Sequence, residues 1–167
     1  SKLSKIPLKT TQNVLSILEN EKILKSNISG KNKYFRLNLD NIQAKFCILQ
    51  AEIYRTQLFI EKYPLFKTFI SEINTNIPLI IFGSFAKFKA DKHSDADLMI
   101  ISKETRSLPF HLIPYKIHQI ELSEASYFEA LDKQETLIKE IEANHIILNN
   151  HSFYVNEMWS YYGKQKP

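Results

Sequence analysis

The sequence predicts an α+β chain in two parts joined by a long helix. Three observations carry this reading. Segments with apolar residues at helical spacing alternate with short unbroken apolar runs of strand length. The stretch from Leu39 to about Glu61 repeats apolar residues at spacings of three, four and seven, without Gly or Pro. The charge is lopsided: residues 1–38 hold eight Lys or Arg against two Glu, whereas the rest holds 14 basic against 16 acidic side chains. A chain of 167 residues makes one domain or two small ones. With 44% hydrophobic, 12% aromatic and 24% charged residues, it can fill a core, and general disorder is excluded.

A membrane span is excluded as well. Such a helix needs roughly 20 apolar residues in a row, and the longest run is Ile77 to Gly83. Ser1 to Lys5 lack the apolar stretch of a signal peptide. The single Cys47 forms no internal disulfide and fits a reducing cytosol. A soluble cytoplasmic protein is expected.

Residues 1–38 read as a helix followed by a hairpin. Pro7 breaks an initial turn (Leu3, Ile6), and Thr10 or Thr11 can cap the next helix through its hydroxyl. Val14, Ile17 and Leu18 recur at helical spacing and are expected to face a core. The other face shows Thr11, Gln12, Asn13, Ser16 and Asn20, side chains that donate and accept at once. Strands at Ile23–Ile28 and Lys33–Leu37 flank a turn at Ser29 to Asn32, where Gly30 supplies the positive φ. A basic end on a slightly acidic body points to a nucleic-acid contact confined to that end.

This segment resembles the second half of a winged helix-turn-helix of archaeal or bacterial type. Thr10–Asn20 match the recognition helix, and 22–38 match the wing, with Gly30-Lys31-Asn32-Lys33 at its tip. The resemblance implies double-stranded DNA as partner, contacted by Thr11, Gln12, Asn13 and Ser16 in the major groove and by Lys31, Lys33 and Arg36 on phosphates. The helix that normally precedes this half is absent, and no Met starts the sequence, so a trimmed or partial chain is expected.

The connector (39–63) is an amphipathic helix with Ile42, Phe46, Leu49, Ile53 and Phe59 or Ile60 as its apolar stripe. The stripe can lie on the second part or on a twin subunit, making a homodimer. Cys47 on this helix reads as a small core residue. Pro64 ends the helix, and Leu65–Ile73 restarts one.

The chemistry lies in residues 78–102. An apolar strand, Leu79–Phe82, runs into Gly83-Ser84, a short helical turn follows, and a second strand opens at Asp95. Asp95 and Asp97 are two apart, so both project to one side of the sheet. Two such carboxylates repel unless a cation lies between them, and hard oxygen ligands suit Mg²⁺. Gly83 lets a phosphate approach the backbone. Ser84 offers a hydroxyl and an amide at a helix start. Lys87 and Lys89 can steer a triphosphate. Together these features describe metal-assisted phosphoryl or nucleotidyl transfer.

Gly83-Ser84, ten residues, then Asp95-Ala96-Asp97, with Phe82 and Phe85 around the Gly-Ser pair and Ser94 before the acids, resembles the minimal nucleotidyltransferases of the DNA polymerase β superfamily. The resemblance covers about Leu65–Leu148 within a domain placed at 64–167. It implies a small mixed β-sheet with helices packed on one face. It also implies Mg²⁺ (or Mn²⁺), and ATP or another nucleoside triphosphate as substrate. Asp95 and Asp97 would then hold the metal, Gly83 and Ser84 the β- and γ-phosphates, and an acceptor hydroxyl would receive the nucleoside monophosphate.

Two departures stand out. Phe88 replaces a common glycine and is expected to crowd the phosphate loop. In the strand Tyr115–Leu122 the third carboxylate of the family is replaced by His118, while alternation puts Glu121 on the other face. A neutral imidazole can accept a proton or bind a softer metal such as Mn²⁺ or Zn²⁺. His93, His111 and His118 are expected near the acids, where they can join them in binding a transition metal. Two alternatives to a DNA-coupled transferase follow. One is a DNA-binding transcriptional regulator with a catalytically impaired domain. The other is an antitoxin-like transferase whose acceptor is a partner protein.

Beyond this strand, Ser123 caps a helix to about Leu131, Gln134–Ala143 form another, and His145–Leu148 a short apolar element. Phe153, Met158, Trp159, Tyr161 and Tyr162 form an aromatic tail expected to pack.

Overall fold

The computed structural model describes residues 6–102 and 108–164. The expectations placed on Leu3, Ser4 and the basic side chains Lys2 and Lys5 lie outside the described residues. The chain divides into two compact units, residues 1–50 with 155–167, and residues 51–154. The connecting helix is shared between the two, whereas the sequence pattern places boundaries at 38 and 63.

In the first unit, α1 (Leu8–Asn20) leads to the antiparallel hairpin β1 (Leu24–Ser29) and β2 (Asn32–Leu37). Gly30, at φ +60°, makes the turn. The helix begins two residues before the expected threonines, and no side chain caps it. Pro7 is the N-cap, and its carbonyl accepts from the amide and the hydroxyl of Thr11 at 3.0 and 3.3 Å. Proline suits this position because it has no amide to leave unpaired. Val14 and Ile17 do not face a core. They are 48% and 59% exposed, while Leu15 and Leu18 are half-buried. Glu19 ties helix to hairpin by accepting from Ser26 Oγ and from Lys33 Nζ (2.6 Å).

The helix α2 (Ile42–Lys62) forms where the apolar periodicity predicts, and part of the expected stripe is covered: Phe59 is buried, and Leu49 and Ile60 are half-buried. Ile42, Phe46 and Ile53 of the expected stripe are exposed. The buried residues are Ala44, Thr56 and Phe59, and Glu52 is largely covered. Burying polar groups costs free energy unless they find partners; Thr56 finds them, whereas Glu52 Oε2 and His145 Nε2 face each other without a hydrogen bond. The Thr56 hydroxyl donates to the Ile147 carbonyl at 2.7 Å and lies 2.9 Å from His151 Nε2. Glu52 Oε2 faces His145 Nε2 at 3.4 Å, and His145 Nδ1 donates to the Ile141 carbonyl at 2.8 Å. Cys47 is half-buried and free.

The second unit holds α3 (Phe66–Ser71), β3 (Leu79–Ile81), α4 (Gly83–Ala86) and β4 (Ala96–Ile101). A 3₁₀ turn at Phe110–Leu112 follows, then β5 (Ile117–Leu122), α5 (Glu124–Asp132), α6 (Thr136–Ala143) and β6 (Ile146–Asn149). The last helix, α7 (His151–Lys164), carries the aromatic tail out of this unit. The four strands form a mixed sheet in the order β5-β4-β3-β6, with β4 and β5 parallel and the other pairs antiparallel. Ser123 caps α5 by accepting from the Ser126 amide at 3.1 Å.

Helices do not cover one face alone. Leu79, Ile81, Leu98 and Ile100 join Phe59, Phe66, Phe69 and Phe85 in one cluster. Ile80 and Met99, which alternation turns the opposite way, are equally buried. Both faces of β3 and β4 are therefore covered, as their unbroken apolar runs require.

The buried polar groups make this unit sensitive to acid. Burial pushes the Glu52 carboxyl up, but His145, with Arg55 and His151, outweighs it and holds the group below its ordinary range. Burial lowers the His151 imidazole, with Glu52 opposing. A histidine that takes a proton less readily when folded lowers stability as pH falls below its ordinary pKa, about 6.5; a depressed carboxyl adds a further loss below about 4.5. The melting temperature is therefore expected to fall from pH 7 to 5 and again below 4.5. His151→Gln should remove the first fall in a scan of melting temperature against pH, and an unchanged first fall would assign it elsewhere.

Candidate active site

The short strand β3 is followed by Phe82, whose amide donates to the Asp97 carbonyl at 3.0 Å, and the chain then turns at Gly83 into α4. Gly83 has φ +66°, and a Cβ there would meet Asp97 Oδ2 at 2.2 Å. A side chain there would have to push the Asp97 carboxylate aside, and the left-handed backbone itself favours glycine. Asp95 leads into β4 and Asp97 lies on it, on the same face, with side chains 43% and 27% exposed.

A turn not expected from the sequence pattern feeds this strand. Asp91 Oδ1 accepts from the His93 amide (2.9 Å) and the Ser94 hydroxyl (3.2 Å), while the Asp91 amide donates to Ser94 Oγ (2.9 Å). The His93 amide, then Ser94, holds the Asp91 carboxyl below its ordinary range. An aspartate three residues before a serine in a Gly-poor loop is the signal that marks this turn.

The parallel register pairs Asp97 with His118, and His118 Nδ1 lies 3.3 Å from Asp97 Oδ1. An ionised carboxylate only accepts. Nδ1 is therefore the donor in this contact. Lys116, one position along the same face, puts Nζ 3.1 Å from Asp95 Oδ2. No bulge interrupts β5, and Glu121 pairs with Gln119 (2.8 Å) on the other face.

Several expected neighbours go elsewhere. Lys87 Nζ is bound by Glu140 Oε1 of α6 at 2.6 Å. Lys89 is exposed, as are His93 in its turn and His111 on the 3₁₀ turn. Among the described residues no three His, Cys, Asp or Glu converge on a metal position, so the expected transition-metal cluster of His93, His111 and His118 with the acids is not formed. Phe88 does not crowd the Gly83-Ser84 turn. It adopts φ +56°, its ring stacks on Tyr63 at 6.5 Å, and its carbonyl accepts from Lys62 Nζ. The Tyr63 hydroxyl also accepts from the Ala90 amide at 3.1 Å.

Residues 67–153 match the family model described as polymerase beta, nucleotidyltransferase, just over half of the chain. The chain belongs to that family. No curated protein matches it. No helix among the described residues is long and apolar enough to cross a membrane.

The residues present fit a divalent cation as a nucleotidyltransferase domain would use it. Mg²⁺ is usually held by one or two carboxylates together with substrate phosphates, and Asp95 with Asp97 offers that donor set beside a backbone stripped of its Cβ. In the first unit, Gln12, Asn13, Ser16, Lys31 and Arg36 are exposed, whereas Thr11 is half-buried and Lys33 is paired with Glu19.

Proposed function

We propose that the chain is a divalent-metal-dependent nucleotidyltransferase that moves a nucleoside monophosphate from a nucleoside triphosphate to an acceptor hydroxyl, coupled to DNA through residues 1–38. The observation that supports this best is the Gly83 backbone packed against the Asp97 carboxylate, with Asp95 beside it. Asp95 and Asp97 hold Mg²⁺ or Mn²⁺, which supplies positive charge to the reacting phosphate when bound. The missing side chain at Gly83 leaves room for the Asp97 carboxylate beside the turn, and the Ser84 hydroxyl and amide bond the triphosphate oxygens. Lys87 offers a positive charge if it exchanges Glu140 for a phosphate. His118 orients Asp97 through Nδ1–H, and its Nε2 takes the proton of the acceptor hydroxyl. The acceptor oxygen then bonds to the α-phosphorus while the bond to the β-phosphate oxygen breaks, and diphosphate leaves.

A second reading draws on the same histidine. An imidazole in register with Asp97, where the family resemblance calls for a third acid, favours a DNA-binding regulator that binds nucleotide without turning it over.

Labelled triphosphates with Mg²⁺ or Mn²⁺ and candidate acceptors separate the two. Transfer by the wild type is expected, with Asp97→Asn abolishing it and His118→Ala lowering it about 100-fold or more, the range for removal of a general base. Nucleotide bound without any transfer would favour the regulator, and label moved by Asp97→Asn would reject the site.

For the DNA interface, Lys31→Ala with Arg36→Ala should weaken duplex binding and lower the slope of log affinity against log salt by about 2, because two phosphates are no longer neutralised. An unchanged slope would remove the hairpin from the interface.

A further inference from the structure

We propose that this site works with one divalent ion, and that Lys116 supplies the positive charge a second ion would bring. The inference rests on the nucleotidyl-transfer reading above and refines it. Two-ion phosphoryl-transfer sites clamp both the attacking and the leaving oxygen with ions about 3.5–4 Å apart. A pair of ions needs anionic donors enough for both. On the face that carries Asp95 and Asp97, β5 contributes His118, in register with Asp97, and Lys116, just before β5, reaches Asp95. Two carboxylates, one of them already paired with the Lys116 ammonium, suit one divalent ion completed by substrate phosphates.

The position of Lys116 is specific. Its Nζ lies 3.1 Å from Asp95 Oδ2, so that oxygen already has a cationic partner. Glu121, the nearest other carboxylate on β5, is turned to the opposite face with Gln119. Among the described residues no third His, Cys, Asp or Glu completes a metal-holding group here. The Lys116 side chain is 80% exposed, free to swing from Asp95 to a phosphate oxygen when a nucleotide arrives. A lysine ammonium stabilises charge on a transferring phosphoryl group much as a metal ion does, without needing ligands of its own. His118, with Nδ1–H turned to Asp97, orients that carboxylate and does not act as a further metal ligand.

The test counts ions. The full chain is first saturated with a non-hydrolysable nucleoside triphosphate analogue, followed by calorimetry. Mn²⁺ is then titrated in, and free Mn²⁺ is read by electron paramagnetic resonance. One Mn²⁺ per chain is expected for the wild type and for His118→Asp, in which Lys116 still holds its place. Two are expected for Lys116→Ala combined with His118→Asp, where the ammonium is gone and a third acid is present. Both side chains are largely exposed, and melting curves verify that the variants fold. Two ions in the wild type, two in His118→Asp alone, or one in the double variant would overturn the assignment while leaving the transferase reading standing. Failure of the wild type to bind the analogue at all would overturn that reading, and this inference with it.

Discussion

The contact on which this structure turns is that between the Gly83 backbone and the Asp97 carboxylate. They lie so close that even a methyl group would collide. The glycine also adopts a left-handed conformation that costs other residues about 1–2 kcal/mol. Two independent demands thus fall on one position. The consequence is geometric: a carboxylate and a bare stretch of backbone share the same small space, where an anion and its counter-ion can meet. The rest of the second unit serves to hold that arrangement still. Strands β3 and β4 are buried on both faces, so the turn after β3 and the start of β4 cannot drift apart without opening the core.

The loop after α4 shows how the position is secured from outside the sheet. Phe88 is held in a conformation unfavourable for an aromatic residue, and its neighbours compensate. Tyr63 stacks on its ring and takes the Ala90 amide, while Lys62 takes its carbonyl. The end of α2 therefore fixes the loop that leads from α4 to the Asp91–Ser94 turn and on to Asp95. Phe88, where the resemblance implies glycine, is accommodated by turning its side chain away from the Gly83-Ser84 turn and onto the core.

The parts of this fold most legible in the sequence are those where one residue type has one physical use. Gly83-Ser84 with Asp95 and Asp97 marks a candidate site because a glycine and two same-face carboxylates have few other reasons to stand together. The register of His118 follows from counting back from the Ser123 cap. The hairpin follows from Gly30. The inner side of α2 is legible only in part, because apolar spacing alone also favours Ile42, Phe46 and Ile53. The side actually buried carries Glu52 and Thr56, whose partners His145, Ile147 and His151 are some ninety residues away in sequence. Val14 and Ile17 mislead for the same reason: periodicity shows that a helix has an apolar stripe, not that the stripe is covered. The coverage of both sheet faces is written in the unbroken runs Leu79–Ile81 and Leu98–Ile101, a signal of double burial rather than of strand alone. Lys116 carries no signal at all, since a lysine acquires meaning only from what lies beside it.

If the Gly83–Asp97 contact is the heart of a nucleotide site, adding a single carbon there is the most direct challenge. The measurement is calorimetric titration of a Mg²⁺-loaded, non-hydrolysable nucleoside triphosphate into Gly83→Ala, at a temperature where circular dichroism finds the variant folded. Binding should disappear, because the new methyl group drives the Asp97 carboxylate out of the space it shares with the backbone. An affinity equal to that of the wild type would contradict the account, and would move the nucleotide, and with it the chemistry, away from this turn.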